Sequence, residues 1–405
     1  MRIAYLVGVF PSTRETFVSN EIIDLARRGV DVEVFSWGLP TGEVVHPEVR
    51  ASGLLERVHY FRYRNLPRVL ARCRFWRALA AVTLGRHRRH FRGWHDKLQA
   101  AYFAALLKKR RRQHIHVHFL QTGKYIADLA GLPYSFTAHC FSEETMSAAD
   151  KARYAAEVAR LPFIVTPSRF VQQGIQALLP PEDRAKVKLV RLGLDLDKFA
   201  PGRAEGDCDV LCVAGFSSFK GIEYLIQATA ILRAERPGIR VVSIGGPPAH
   251  RPEAETRLRE ECARCGVEEN FEFMGPRDSD TVRTMLGRSK LFALPSIVDD
   301  EGQMDGLPIA LLEAAACGLP LVSTAVAGIP DIVVDEVTGI IVPQRDPAAL
   351  AAAIDRLLAD PELRRRLGQA ARELAEREFS REVSGQRMQE AFAEAVGEGP
   401  GAVTP

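Results

Sequence analysis

The sequence predicts an α/β fold with two Rossmann-like, doubly wound parallel-sheet domains facing across a cleft. Short apolar strands alternate with helix-length segments, and the 405-residue chain is longer than one typical domain. The alternation restarts after a polar, glycine-containing stretch at residues 201–209. We therefore expect domains at 1–200 and 201–380. In segment 381–405, a last helix over about 381–396 is expected before a disordered tail.

The first domain is predicted to open with a βαβ unit, because an apolar run, an amphipathic segment and a second apolar run follow one another before and after Gly29. The predicted elements of this unit are a strand over 3–9, a helix over 17–28 and a strand over 30–35. Further strands are predicted at 114–119, 134–137, 163–166 and 188–191.

The second domain repeats this pattern. Its predicted strands are 210–214, 240–244, 270–273, 291–294 and 319–323. Its predicted helices are 221–235, 252–265, 278–287 and 308–316. Sheets of this kind bind ligands at the carboxyl ends of their strands, so a site is expected there.

Several function classes are disfavoured by missing patterns. No G-x-G-x-x-G lies between a predicted strand and helix, which argues against a dinucleotide oxidoreductase. Cys262 and Cys265 have no second pair at zinc spacing. The seven cysteines, without a secretory leader or a membrane-length apolar run, predict reduced thiols and a cytoplasmic protein.

Residues 62–112 carry a strong positive charge. They contain 13 Arg and 3 Lys against one Asp, so the segment has a net charge of +15 within a chain of +3, and the rest carries −12. The aromatic residues interleaved there are Phe61, Tyr63, Phe75, Trp76, Phe91, Trp94, Tyr102 and Phe103. This composition suits an anionic membrane surface, and a solvated helical face is the alternative. Without a nucleic-acid motif, no nucleic-acid partner is predicted.

The stretch DGLPIALLEAAACG, residues 305–318, places two carboxylates around a helix start. Pro308 suits the first turn of a helix, so Asp305 is expected on the preceding loop and Glu313 about one and a half turns inside. The free N–H groups of a helix N-terminus attract phosphate. The stretch predicts a phosphate site with a carboxylate on either side, and a helix cap plus a surface glutamate is the alternative.

Several blocks in order make the chain resemble the retaining glycosyltransferases of family 4, especially the bacterial exopolysaccharide and colanic-acid types. The matching blocks are FPSTRETF at 10–17, HVHF at 116–119, SFTAH at 135–139, RLGLDLDKF at 191–199, AGFSSFKGIEYLI at 214–226 and the block at 295–333. Arg14 stands where that subgroup usually has Ser. The resemblance runs from residue 3 to about 390 and implies the GT-B fold of two facing Rossmann-like domains. It also implies that the last helix, within segment 381–405, crosses back to the first domain.

On the donor side, the resemblance identifies Asp305 and Glu313 with the family's E-x7-E motif, with Asp in place of the first Glu. It implies that Asp305 lies beside the donor sugar, that Glu313 binds the ribose hydroxyls, and that Lys220 neutralises the leaving diphosphate. Gly215 stands where the family has an Arg. The expected donor-binding residues are Gly215, Lys220, Gly245, Gly306, Leu307 and Glu313.

On the acceptor side, the resemblance places His139 facing the transferred sugar, where it would help to orient the anomeric carbon. The residues alone do not favour it over His114, His116 or His118. The expected acceptor-side residues are Gly8, Phe10, Glu15 and Thr16.

The implied reaction moves a sugar from a UDP- or GDP-linked donor to a hydroxyl of a glycan, such as a lipid-linked polysaccharide intermediate, with retention at the anomeric carbon. We expect no cofactor and no metal, and we interpret the acidic run 299–301 as a solvated loop. A soluble small-molecule acceptor and a non-catalytic nucleotide- or lipid-binding module remain alternatives. A glycoside hydrolase fits the acid pair but has no use for a phosphate site. A cytoplasmic protein at the inner face of the membrane is expected.

Overall fold

The structure is a computed structural model that describes residues 1–12, 16–40, 47–120, 122–139, 141, 146–201 and 208–398. It contains two compact units. The first unit comprises Met1–Pro167, Val171–Gly193 and the residues from Arg381 onward, and the second comprises Ser168–Phe170 and Leu194–Ser380. Most of the predicted linker, 202–207, and the predicted disordered tail, 399–405, lie outside the described residues.

The first unit is built on parallel strands. These are β1 Arg2–Val9, β2 Asp31–Gly38, β3 Val58–Tyr60, β4 His114–His118, β5 Tyr134–Phe136, β6 Ile164–Thr166 and β7 Val187–Leu189. The helices are α1 Thr16–Arg27, α2 Pro47–Ala51, α3 Pro67–Leu70, α4 Cys73–Thr83, α5 Trp94–Lys109, α6 Gly123–Ala130, α7 Ala148–Ala159, α8 Arg169–Ala177 and, late in the chain, α15 Arg381–Val396. The five-stranded sheet has the order β3-β2-β1-β4-β5, and β6 pairs with β7.

Side chains of β1 point alternately to the two faces of the sheet, and the core of the first unit therefore has two layers. Successive side chains of a strand point to opposite faces of a sheet. Ala4 and Leu6 pack in the cluster that contains the buried faces of α4, α5 and α6. Ile3, Tyr5 and Val7 pack in the cluster formed with α1 and α15. The sheet is therefore covered by helices on both faces, as a doubly wound fold requires.

Helix α15 belongs to the first unit although it follows the second unit in the chain. Phe392 is fully buried there and lies 5.7 Å from the ring of Phe163 and 6.2 Å from that of Tyr5. The Ser384 hydroxyl donates to the backbone carbonyl of Arg191 at 2.7 Å. The Arg28 guanidinium donates to the carbonyl of Glu382 at 2.7 Å. The helix therefore completes the α1 side of the first core.

The second unit has one six-stranded parallel sheet. Its strands are β8 Cys208–Val213, β9 Val241–Ile244, β10 Phe271–Gly275, β11 Ser289–Leu294, β12 Leu321–Thr324 and β13 Gly339–Val342. Its helices are α9 Ile222–Glu235, α10 Ala254–Cys265, α11 Ser279–Gly287, α12 Ile309–Ala316, α13 Pro347–Ala359 and α14 Pro361–Phe379. The strand order is β10-β9-β8-β11-β12-β13. Two doubly wound parallel-sheet domains are thus confirmed.

Some local predictions need correction. Strands β3 and β13, which are three and four residues long, were not predicted from the sequence. Pro308 was expected inside the first turn of a helix, but it is the N-cap of α12, with φ −68° and ψ 111°. The extended ψ keeps its carbonyl at the helix start, so the helix begins one residue later than predicted.

The basic segment 62–112 keeps most of its aromatic residues in the core. Together with Phe61, which directly precedes the segment, five of the eight aromatic residues are buried in the first unit: Phe61, Phe75, Phe91, Tyr102 and Phe103. Only Tyr63, Trp76 and Trp94 are exposed, at 58, 55 and 66%. Period and composition could not separate these sets, because α5 buries nine consecutive residues from Gln99 to Leu107. Within the described residues, none of the helices has the length and apolar character to cross a membrane.

Candidate active site

The order of the strands in the second unit places a topological switch point between β8 and β11. Chain connections leave these two strands in opposite directions along the sheet, which opens a crevice at their carboxyl ends. Lys220 follows β8 through a short 3-10 turn, and Asp305 lies on the loop after β11. The sequence-predicted cation and the first predicted carboxylate therefore come from the two strands that flank the crevice.

The structure brings Lys220 and Asp305 into direct contact. The Lys220 ammonium donates to Oδ2 of Asp305, and both side chains are more than four-fifths buried. The ammonium also lies 5.5 Å from the ring centre of Phe219. An ammonium has three N–H donors, so Asp305 orients Lys220 and leaves two donors for an anionic ligand. Sequence reasoning gave these residues separate roles and missed their pairing.

Gly221 fixes the turn that carries Lys220. Its φ is +66°, and a Cβ at this position would lie 2.0 Å from the carbonyl oxygen of Pro295. The turn is therefore packed against the backbone just after β11, and a glycine is required for that approach. This close packing holds the loops of Lys220 and Asp305 together.

Glu313 is a half-buried carboxylate without compensation. It lies on α12, and burial raises its pKa to about 7. Among the described residues, no hydrogen-bond donor contacts its side chain. A buried carboxylate without a partner destabilises a fold, and such groups concentrate at functional sites. Glu313 is available to accept hydrogen bonds from a ligand.

The N-terminus of α12 offers backbone donors close to Asp305 in the chain. No side chain caps this helix, since Pro308 at the N-cap makes no side-chain hydrogen bond. The N–H groups of the first turn therefore keep capacity for an anion. Gly306 and Leu307 precede this turn, and the Gly306 carbonyl accepts from the N–H of Gly328 at 2.9 Å. That bond fixes the loop that leads into the helix.

Two predicted donor-side glycines follow adjacent strands at the same sheet edge. Gly245, after β9, has φ +151°, and a Cβ there would lie 1.8 Å from the carbonyl oxygen of Ala214. Gly215, after β8, is open: the nearest atom to an added Cβ is the Gly246 carbonyl oxygen at 3.8 Å. Gly245 is thus needed by the backbone, whereas the space at Gly215 would accept a side chain.

The acidic run 299–301 is tied into ion pairs and loop bonds. Asp299 accepts from the Ser218 hydroxyl at 2.6 Å and from the backbone N–H of Gln303 at 2.8 Å. Asp300 pairs with Arg345 at 2.9 Å, and Glu301 pairs with Arg251 at 2.8 Å. All three acids have partners. The run shapes the loop before Asp305.

In the first unit, His139 follows β5 and contacts two residues at the end of β4. Its ring stacks on Phe119 with centroids 4.1 Å apart and planes 13° apart. Its Nε2 lies 3.0 Å from Nδ1 of His118. Burial lowers the pKa of His139 to about 2, with His118 as the smaller cause, so the ring is neutral at physiological pH.

The other predicted acceptor-side residues differ in what they offer. Phe10 is 1% exposed, its N–H donates to the Ser36 hydroxyl at 2.9 Å, and its carbonyl accepts from the Tyr60 hydroxyl at 2.7 Å. Its side chain therefore packs in the core. Gly8 is partly exposed with open space at its Cβ, Thr16 is the first residue of α1, and Glu15 lies outside the described residues.

A cavity of about 790 Å³ opens beside His139 in the first unit. Its lining includes Phe119, Tyr125, Arg89 and Arg92. No acid is paired with either arginine among the residues that the structure describes. The cavity therefore combines an aromatic wall, these two arginines, the ion pair of Lys124 with Glu157 and a neutral imidazole.

Sequence reasoning missed the buried polar group behind His139. His114, His116 and His118 alternate along β4, so they face one side of the sheet. His118 also contacts Glu21 of α1, with Nε2 and Oε1 3.3 Å apart. The spacing of the three histidines on one predicted strand was a usable signal. The contact with Glu21 of α1 could not be predicted in the same way, because Glu21 is 97 residues from His118 in the sequence.

Solved structures identify the fold. The chain superposes on Anabaena HepE, crystallised in complex with UDP, with a TM-score of 0.75 over 97% of this chain and 100% of that one, at 16% identity. Likeness at this identity concerns the fold alone. The protein has the fold of the GT-B glycosyltransferases.

The sequence relatives identify the family. The model of "Glycosyl transferases group 1" matches residues 195–374. A D-inositol 3-phosphate glycosyltransferase of Salinispora arenicola is 31% identical over 70% of this chain and 68% of its own length. A putative colanic acid biosynthesis glycosyltransferase, WcaL, of Salmonella typhimurium is 28% identical over 87% of this chain and 90% of its own. The chain belongs to the group 1 glycosyltransferases.

Proposed function

We propose that this protein is a retaining glycosyltransferase of family 4 that uses a UDP- or GDP-linked sugar and extends a lipid-linked polysaccharide intermediate. Glu313 carries the proposal, because a half-buried carboxylate that no hydrogen-bond donor of the described residues contacts fits the two hydroxyls of a nucleotide ribose. UDP bound to Anabaena HepE and the polysaccharide role in the name of the Salmonella relative are consistent with it.

The donor's diphosphate would bind between Lys220 and the first turn of α12. Lys220 has two N–H donors beyond the one given to Asp305, and the uncapped helix N-terminus adds backbone N–H groups. These groups are placed before the reaction begins, so they stabilise the charge that develops on the leaving diphosphate. In this proposal they carry that charge without a metal ion and without the arginine that Gly215 replaces.

Chemistry on the sugar would need few protein groups. The bond from the anomeric carbon to the donor phosphate breaks, and the acceptor oxygen bonds to the same face of that carbon. The leaving phosphate takes the acceptor's proton on that face, which accounts for retention. Asp305 and His139 would hold sugar hydroxyls and orient the anomeric carbon, a positioning role.

The cavity beside His139 is the proposed acceptor site. Aromatic side chains such as Phe119 and Tyr125 suit the faces of sugar rings, and the unpaired Arg89 and Arg92 suit a diphosphate. A lipid-diphosphate-linked glycan presents both features. A soluble acceptor would use the aromatic wall without the arginines.

Residues 62–112 would dock the protein on anionic lipid at the inner face of the membrane. Their charge of +15 and the exposed Trp76 and Trp94 support this part of the proposal. Sedimentation with vesicles of increasing anionic-lipid content tests it. Equal binding to neutral and anionic vesicles would refute the docking.

The donor site is tested by calorimetric binding of UDP and of GDP, each with Mg²⁺ and with EDTA. We expect one nucleotide to bind equally under both conditions and its affinity to collapse in Glu313→Ala. Glu373→Ala, which removes an exposed glutamate of α14, is the matched control and should bind normally. Loss of binding in EDTA would refute metal independence.

Transfer distinguishes an enzyme from a binding module. The nucleotide that binds selects a set of matching nucleotide sugars, and mass spectrometry follows transfer to a lipid-linked and to a soluble glycan. Arg89→Ala with Arg92→Ala should raise KM for the lipid-linked acceptor and leave nucleotide binding unchanged. Arg153→Ala removes an exposed arginine of α7 paired with Asp150 and serves as the control. Tight nucleotide binding without transfer to either acceptor would favour the binding module.

A further inference from the structure

A hydrogen-bonded series of four side chains leads from the core of the first unit to His139. The Tyr5 hydroxyl donates to Oε1 of Glu21 at 2.6 Å. Nε2 of His118 lies 3.3 Å from the same oxygen, and Nδ1 of His118 lies 3.0 Å from Nε2 of His139. Tyr5 and His118 are at most 1% exposed, so water does not compete for these bonds. Every nitrogen of the two rings except Nδ1 of His139 has a partner in this series.

We propose that Glu21 and His118 are positioning residues that hold His139 in the tautomer with the proton on Nε2, so that its Nδ1 accepts a hydrogen bond from a substrate hydroxyl. The substrate part of this inference rests on the function proposed above. The tautomer itself does not.

The direction of the series follows from the carboxylate of Glu21. An ionised carboxylate only accepts hydrogen bonds, and a neutral imidazole has one N–H and one bare nitrogen. Nε2 of His118 therefore carries its proton, and Nδ1 of His118 accepts from Nε2–H of His139. Nδ1 of His139 is then bare. Among the described residues, no protein donor contacts it.

The length of the contact to Glu21 favours a neutral His118. Hydrogen bonds from a charged nitrogen to a carboxylate are usually 2.7–2.9 Å long, and this one is 3.3 Å. A doubly protonated His118 would donate from Nδ1 to His139 and reverse the series. Glu21 also has its charge partly satisfied by the shorter bond from Tyr5.

Packing fixes the orientation of the His139 ring. The ring of His139 stacks on the ring of Phe119 with centroids 4.1 Å apart, which sets its plane. The ring centre of Phe17, a residue of α1, lies 5.2 Å from that of His139. A flip of the ring about its Cβ–Cγ bond would put the Cε1 carbon where Nε2 now lies and so break the bond between the two histidines. The same nitrogen of His139 therefore stays toward the accessible side.

A bound metal ion is the alternative explanation for this cluster of histidines and Glu21. Ligand atoms of Glu21, His116 and His118 lie within 4.8 Å of one another. However, both nitrogens of His116 already contact hydroxyls, Nδ1 that of Ser135 at 2.8 Å and Nε2 that of Thr137 at 2.9 Å. A metal on Nε2 of His118 would leave the proton on Nδ1, which reverses the series.

Nitrogen-15 NMR of the full chain, labelled at histidine, tests the tautomer directly, because protonated and bare ring nitrogens have well separated shifts. The His139 signals are assigned by their loss in His139→Asn. We expect Nε2 of His139 protonated and Nδ1 bare at pH 7, with no change on adding Zn²⁺ or EDTA. A proton on Nδ1 of His139, a doubly protonated His118, or a shift of these signals with Zn²⁺ would each overturn the proposal.

Variants connect the tautomer to catalysis. The amide of Glu21→Gln both donates and accepts, so His139 should become a mixture of tautomers, and kcat should fall on the order of tenfold with KM for the donor nearly unchanged. Glu33→Gln is the matched control, because Glu33 contacts His59 at 3.0 Å and neither residue touches the series. It should alter His59 signals and leave those of His139 in place.

The outcomes separate this inference from the function on which it rests. A wild-type spectrum with the expected tautomer, together with full transfer by Glu21→Gln, would overturn the positioning role. If the wild type neither binds a nucleotide nor transfers sugar, the proposed function fails, and the wild-type spectrum still decides the tautomer. A variant that does not fold leaves that spectrum as the test.

Discussion

Replacing Glu313 by Gln should stabilise the second unit and weaken its nucleotide binding, and both effects should depend on pH. Burial raises the pKa of Glu313 from 4.5 to about 7. A tenfold change in an equilibrium is about 1.4 kcal/mol, so this shift corresponds to about 3 kcal/mol. Because the folded-state pKa lies above the unfolded one, the folded protein binds more protons between pH 4.5 and 7. Its stability therefore falls as pH rises through that window.

The glutamine variant has no such proton to lose. Its gain in unfolding free energy over the wild type should be small near pH 4.5, grow up to pH 7, and level off at about 3 kcal/mol. Denaturation by urea at pH 5, 6, 7 and 8 measures it. An equal stability of the two proteins at pH 8 would refute the claim that the carboxylate is buried without compensation.

Nucleotide binding should follow the opposite trend in the wild type. Between pH 6 and 8 the ionised fraction of a group with a pKa of about 7 rises from about one tenth to about nine tenths, so affinity should rise about tenfold if only the carboxylate binds. Phosphate groups titrate near pH 6 as well. The difference between wild type and Glu313→Gln isolates the glutamate. A parallel pH dependence in both proteins would show that Glu313 does not bind the nucleotide.

Three further changes probe other parts of the structure. Lys220→Ala should weaken nucleotide binding by about 2–3 kcal/mol in calorimetry, because it removes a charged hydrogen bond to phosphate, and unchanged affinity would exclude Lys220 from the site. Gly221→Ala should destabilise the second unit by about 3 kcal/mol or more in urea unfolding, whereas Gly215→Ala should change it little, since only the former places a Cβ 2.0 Å from a carbonyl oxygen. Phe392→Ala should cost about 3–5 kcal/mol in thermal or urea unfolding; a cost as small as that of truncating the 40%-exposed Phe170 would contradict its burial.

The sequence was most informative where apolar periodicity and glycines at element boundaries indicate the same helices and strands. Two parallel-sheet domains and the helix over 381–396 follow from that pattern, and the structure has α15 at Arg381–Val396. Strands β3 and β13 are three and four residues long and were not predicted, although strands as short as β5 and β12 were. Strand β3, Val-His-Tyr, contains one aliphatic residue and so has no apolar run to mark it. The aromatic residues of 62–112 were misread for a related reason: composition does not tell which face of a helix is covered by the rest of the chain.

The candidate site was predictable in its members and not in its contacts. A helix start between two acids pointed to Asp305 and Glu313, and the resemblance to a family added Lys220 and His139. The pairing of Lys220 with Asp305 joins residues 85 apart and depends on the order of β8 and β11 in the sheet. The environment of Glu313 depends on what covers α12. Tertiary packing decides both, so neither is visible in local sequence.

The position of α15 has a consequence for synthesis of the protein. Strands β1 to β7 leave the ribosome first. The face of the amino-terminal sheet formed by Ile3, Tyr5 and Val7 is covered only after Met388 and Phe392 of α15 have been synthesised. Meanwhile almost the whole second unit, Leu194–Ser380, is already available to fold. Nascent chains halted shortly before residue 381 should therefore expose an apolar surface on the amino-terminal sheet, and that surface is where a chaperone would bind during translation.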